Sequence, residues 1–157
     1  MDIQHSITIL CWLFPESVED GPIFSYGINA QQLGVHFRMV SPGNLFAGYV
    51  QSDYSPLPPL TTYEPLELNK WHYVGTSYHN DTGIASIWVN GERVVQQSIG
   101  SGINLATQND VRVGAKEADQ RYLLGRIAAI QVFDAALTAK QINEVKKAGL
   151  GKHLCPF

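Results

Sequence analysis

The sequence predicts an all-β protein: two antiparallel sheets stacked as a sandwich, with one short helix near the C-terminus. Three observations predict it. The stretch Lys70–Val95, KWHYVGTSYHNDTGIASIWVNGERVV, reads as a three-strand meander. Turn residues punctuate the rest roughly every eight to twelve positions, which implies about nine short strands. The one clear helical pattern comes late, after the strands.

Taken in order, Ser6–Phe14 is a strand with apolar residues on both faces, hence central, and Pro15 ends it. Ile23–Tyr26 is a short strand and Gly27–Gln32 a polar loop. Leu33–Val40 alternates Leu33, Val35, Phe37 and Met39 against Gly34, His36 and Arg38, which puts one face in the core and leaves the other wetter. Ser41-Pro42-Gly43-Asn44 turns the chain into Leu45–Val50, so this pair forms a hairpin. Pro56, Pro58 and Pro59 make Gln51–Tyr63 a loop of polyproline character, because proline cannot donate to a ladder.

Trp71–Tyr78 and Ile84–Val89 follow, and Asn90-Gly91 reverses the chain into a strand from Arg93. Both central positions of a type I′ turn need positive φ, which glycine adopts freely and asparagine more readily than most residues. Val111–Gly114 and Leu124–Phe133 are the last strands. Thr138 and Gln141 form a capping box, Ala139, Ile142 and Val145 share one narrow stripe, and Gly149 suits a left-handed stop. No repeat, linker or low-complexity segment interrupts residues 1–157, which read as a single domain.

Composition excludes several classes of function. Hydrophobic residues make up 45% and charged residues only 16%, with a net charge of −3. The basic residues form no run beyond Lys146-Lys147, so nucleic acid is not an expected partner. The longest apolar run, Ile9–Phe14, falls far short of the roughly twenty residues a membrane helix requires, so membrane insertion is not expected. No secretory signal opens the chain, and Met1 directly before a strand is the expected start of a domain cut from a longer protein.

Cys11 and Cys155 lie near opposite ends, without zinc-ligand or CxxC spacing. One reading is a disulfide tying the first strand to the tail, in an oxidising compartment. The other is two unrelated thiols, with Cys11 buried as a small hydrophobe. Asn80-Asp81-Thr82 is a glycosylation sequon on an expected turn. The histidines His5, His36, His72, His79 and His153 show no local zinc spacing; His36 and His72 are expected to be half-buried hydrogen-bonding residues.

Trp71-His72-Tyr73-Val74, then Ile87-Trp88-Val89-Asn90-Gly91, then Gly125-Arg126-Ile127 through Phe133-Asp134-Ala135-Ala136-Leu137-Thr138 and Ile142 stand in one order. In that order the chain resembles laminin G-like, pentraxin-like domains of the concanavalin A-like sandwich class, from Ser6 to Gly149. The resemblance implies a jelly-roll sandwich of two curved sheets. Such domains usually begin with one further strand before the position of Ser6, and this chain lacks it. Val74 and Tyr78 stand where pentraxins carry a cysteine and a tryptophan, which leaves Cys155 as the partner for Cys11 that the resemblance implies.

The resemblance also implies calcium, held in pentraxin-like domains by an Asp-Asn pair in an early loop and by acids in a late one. Here the late loop offers Glu117, Asp119 and Gln120, flanked by Lys116 and Arg121, whereas the early loop offers amide oxygens and no carboxylate. Calcium requires six to eight oxygens with several carboxylates, so a calcium site and a solvated loop with local ion pairs both stay open. Glycosidases of this class present carboxylates at alternate strand positions, and none do here, so no enzyme is expected.

Trp12, Trp71 and Trp88 lie within strands and are expected in the core; Tyr49, Tyr54, Tyr63 and Tyr122 lie at loops or strand ends. Tyr54 with Asp53 and Asn44 forms a candidate sugar patch, a ring to stack on beside polar groups for hydroxyls. The expectation is therefore an extracellular, non-catalytic recognition module that binds glycans through the loops at 27–32, 51–63 and 115–122. Asn29, Gln32, Asn44, Asp53, Tyr54 and Tyr122 are its candidate ligand-binding residues. The alternative is an extracellular protein partner, bound by an adhesion domain that takes neither sugar nor calcium.

Overall fold

The computed structural model describes residues 5–27, 29–116 and 121–150. Twelve strands are formed: β1 (Ile7–Pro15), β2 (Gly21–Gly27), β3 (Leu33–Val40), β4 (Asn44–Gly48), β5 (Leu60–Thr61), β6 (His72–His79), β7 (Ile84–Val89), β8 (Glu92–Ser98), β9 (Val111–Val113), β10 (Ala115–Lys116), β11 (Arg121–Tyr122) and β12 (Gly125–Phe133). A helix, α1, spans Ala139–Leu150. Sheet A has the order β12-β1-β6-β7-β8 and sheet B the order β5-β4-β3-β2-β9, with β10-β11 as a separate ribbon. The two five-stranded antiparallel sheets pack as the expected sandwich.

Alternation builds the interior. Ile7, Ile9, Cys11 and Leu13 of β1 point between the sheets, with Val74 and Tyr78 of β6 and Ala85 and Ile87 of β7. Val35, Phe37 and Met39 of β3 and Leu45 and Ala47 of β4 face them from sheet B. Tyr49 joins this core at 1% exposure. Its hydroxyl lies 2.7 Å from Thr76 Oγ1, and Thr76 Oγ1 itself donates to Ser86 O. Thr76 has one hydroxyl hydrogen, so Tyr49 is the donor of the bond that joins the sheets.

On the other side of β1, Leu10 packs with Tyr73, Trp88 and Ile142, and α1 covers them with Val145. Burying Ile142 contributes about 1.5–3 kcal/mol. The capping box forms as expected: Thr138 N donates to Gln141 Oε1 at 2.9 Å, and Gln141 N to Thr138 Oγ1 at 3.2 Å. Asn90 and Gly91 have φ of 53° and 85°, as a type I′ turn requires.

Several elements differ from expectation. β1 takes in Pro15, which pairs with Gly125 at the ladder's end. The proline-rich loop does pair: Pro56 bridges Val50, and Leu60–Thr61 adds β5 to β4 once the prolines are passed. Part of the late loop forms the β10–β11 ribbon, with Ala115 opposite Tyr122. Trp88 is core, with Nε1 donating to Ser77 Oγ at 2.9 Å. Trp12 and Trp71 are half-buried: Trp12 packs on the Leu10–Tyr73–Trp88 cluster, and both border a surface groove of about 370 Å³ with Phe14, Asn69 and Lys70. Sheet A therefore shows aromatic rings on its outer face at the border of the Leu10–Trp88 cluster.

Candidate functional site

The β2–β3 loop, the β4–β5 loop and the segment 104–110 meet at one end of the sandwich. Gly34 makes the meeting possible, since a Cβ there would stand 2.1 Å from Ala106 O. Without one, Val35 N donates to Ala106 O at 3.1 Å and Ala106 N to Val50 O at 2.8 Å.

Four expected residues converge at this rim. Asn29 Oδ1 caps a short 3₁₀ turn by accepting from Gln31 N and Gln32 N, both at 3.0 Å, and its Nδ2 donates to Gln32 Oε1 at 3.3 Å. Asp53 Oδ1 accepts from Ser55 N at 2.9 Å and from the Ser55 hydroxyl. These bonds, the hydroxyl's first, hold the Asp53 carboxyl below its ordinary range. Tyr54 sits at φ 67°, and its hydroxyl accepts from Asn109 Nδ2 at 2.8 Å. Asn109 also donates to Gln32 O at 3.1 Å, and Gln108 Nε2 to Ser52 O at 3.2 Å. Asn109 thus ties the two expected loops together. Nothing local in the sequence marks it, because its role comes from a contact across 77 positions.

Asn44 does not belong to this rim. It starts β4, donates to Thr62 O at 2.7 Å, and lies one strand length from Tyr54. Tyr122 is 62% exposed at that opposite end, beside the Arg121–Asp20 ion pair at 3.6 Å. Among the other tyrosines considered, Tyr49 is core and Tyr63 is 85% exposed. Asn80 Nδ2, the atom a glycan would occupy, donates to Ile103 O at 2.8 Å. Cys11 is a free thiol facing the inter-sheet core, pushed up to about 12 by burial. Cys155 lies outside the described residues, as do Glu117, Asp119 and Gln120.

The early-loop half of a calcium cage does not fit the ion. Asn29 Oδ1 is committed to two backbone donors and Gln32 Oε1 faces an N–H group, and neither carries charge. Among the described residues no three His, Cys, Asp or Glu side chains group as metal ligands.

Beside the rim lies the outer face of sheet B. Cross-strand pairing sets Arg112, Ser25, His36 and Gly48 in one row, and Pro22, Arg38, Phe46 and Thr61 in the next. Paired residues share a face, and Val35, Phe37 and Met39 face the core, so His36 and Arg38 point outward. The His36 ring lies over Gly48, where a Cβ would be 2.2 Å away, and stacks on Phe46 at 5.7 Å between centroids. Arg38 Cζ stands 4.5 Å from the Phe46 centroid. A cavity of about 100 Å³ opens here, lined by Pro22, Phe24, Ser25, Leu33, His36, Phe37 and Arg38. The alternation of Leu33–Val40 identified this face; its content as a site depended on which strands would lie beside it. No acidic residue occupies either row, so the face lacks the carboxylate pair of a glycosidase.

The family model described as the concanavalin A-like lectin/glucanases superfamily matches residues 1–143. C-reactive protein of Oryctolagus cuniculus is 29% identical over 80 residues, 46% of this chain and 36% of the relative. The chain therefore matches little more than a third of that relative's length. Among solved structures, the heptameric SAP-like pentraxin of Limulus polyphemus superposes with a TM-score of 0.74 at 22% identity, covering 92% of this chain and 71% of the other. The CBM40 of a Ruminococcus gnavus IT-sialidase, bound to α2,3-sialyllactose, gives 0.73 at 14% identity, covering 90% and 83%. At these identities the superpositions speak for the fold. No helix among the described residues is long and apolar enough to cross a membrane.

Proposed function

The chain belongs to the concanavalin A-like lectin/glucanases superfamily, and we propose that it is a non-catalytic, extracellular glycan-binding module. The carrying observation is the rim where Asn109 ties Tyr54 to Gln32, bringing the loop of Asn29 and Gln32 to the loop of Asp53 and Tyr54. Sugar hydroxyls need donors and acceptors at fixed positions; the Tyr54 hydroxyl hydrogen, the second Asp53 carboxylate oxygen and Asn109 Oδ1 supply both, while the oxygens of Asn29 and Gln32 serve to hold the loop. A ring fixed at its hydroxyl offers a surface for the apolar side of a pyranose. The loops that carry these groups are cross-braced by backbone hydrogen bonds, so little ordering is left to occur on binding.

Two features support this reading over hydrolysis and over metal-bridged binding: the outer face of sheet B has no paired acids, and the early loop's oxygens are already engaged. The sialyllactose held by the structurally similar Ruminococcus module is a further support. A glycan array probed with and without EDTA tests it. Glycan signal is expected in both conditions, with Tyr54→Ala lowering it at least tenfold. No signal in either condition would instead favour a protein partner, for which the unpaired edge of β8 is one open surface.

A further inference from the structure

We infer that the cavity on the outer face of sheet B receives the carboxylate of an acidic sugar, with the Arg38 guanidinium as its counter-ion. This rests on the glycan reading above and names the chemistry of the ligand. The Arg38 guanidinium carbon stands 4.5 Å from the Phe46 centroid, so the ring face holds the cation at this position. Nε is buried without an acceptor, and among the described residues no carboxylate pairs with Arg38. A cation that is partly withdrawn from water and still lacks an acceptor is set up for an anion.

The planar fork of arginine matches a carboxylate through two parallel hydrogen bonds. The space matches too. A water molecule takes up about 30 Å³, so a cavity of about 100 Å³ holds an acid group but not a sugar ring. The ring would lie outside, over Leu33, which lines the cavity and follows Gln32 directly in the chain. Acid pocket and polar rim are therefore contiguous. Six residues of extended chain, roughly 20 Å, separate Gln32 from Arg38, so an oligosaccharide with a terminal acid can place its carboxylate at Arg38 and the hydroxyls of its following sugars among Gln32, Tyr54 and Asn109. Ser25 and His36 border the same cavity and add polar edges.

The test is an array of matched glycan pairs, with and without a terminal carboxylated sugar, plus sulfated glycans, all probed in EDTA. The carboxylated member of each pair is expected to bind at least tenfold more strongly. Arg38→Gln is expected to bring it down to its neutral partner, and Arg38→Lys to restore part of the preference. Equal binding within pairs, or a preference that survives Arg38→Gln, overturns this inference and leaves the glycan reading intact. Stronger binding of sulfated than of carboxylated glycans overturns the carboxylate assignment. Absence of signal from every glycan removes both readings. Should Arg38→Gln fail to fold, the pair ratio of the unaltered protein decides alone.

Discussion

At the scale of single residues, burial decides what each titratable side chain can do. Cys11 sits between the sheets at 1% exposure, and burial raises its thiol from an ordinary 9.0 to about 12. Burial also raises the Tyr49 and Tyr78 hydroxyls, and it raises Tyr73 to about 12, with the nearby Cys11 adding to that shift. In each case the folded state keeps a proton that the unfolded chain gives up. The stability these groups contribute is complete below about pH 9 and is lost as pH rises towards 12. For a fully buried group the slope is roughly 1.4 kcal/mol per pH unit. Thermal melts between pH 8 and 11 should therefore show falling stability, steepening above pH 9. Cys11 should react with iodoacetamide only after unfolding; alkylation of the native protein at pH 8 would contradict the burial. The same burial removes Tyr49 from the binding surface, where its place at a strand end had suggested a free ring.

At the scale of elements, what was legible in the sequence followed from chemistry confined to neighbouring residues. The Asn90-Gly91 turn and the Thr138–Gln141 box form as expected because each needs only adjacent residues. β5, β10 and β11 are not legible in the sequence because strands of two residues carry no alternation. Trp12 packs on the Leu10–Trp88 cluster as its strand position implies, but Trp71 borders the groove, because alternation separates the two faces of a strand without saying which neighbour covers each. The helix shows how the covering works. Gly91 has no Cβ, and one would stand 2.2 Å from Asn143 Oδ1; Asn143 Nδ2 donates to Gly91 O at 3.1 Å. Ile142, with no exposed surface, then fills the site between Leu10 and Trp88. Ile142→Ala should cost about 2–5 kcal/mol, measured by urea titration. A loss below 1 kcal/mol would mean that α1 is not seated as described.

At the scale of the whole molecule, the proposed site and the helix that seals the sandwich lie on opposite faces. The outer side of sheet A holds the helix and the Leu10–Trp88 cluster. The outer side of sheet B, with the rim beside it, holds Arg38, His36, Tyr54 and Asn109. The core between them is continuous and close-packed, so a change on one side reaches the other only by moving that core. Alterations at the two faces should therefore act on different observables. Ile142→Ala should lower the melting temperature while glycan affinity, measured well below the transition, stays within about twofold, because distant sites add to within a few tenths of a kcal/mol. Tyr54→Ala should do the reverse: its ring is half-exposed and its loop is held by backbone bonds such as Ser52 N to Asn104 O. Titrating both variants with the best array ligand, alongside their melting curves, checks the separation. If Ile142→Ala weakens binding as much as Tyr54→Ala does, the ligand lies against the helix side, and the site belongs at the groove between Trp12 and Trp71 instead of at the rim.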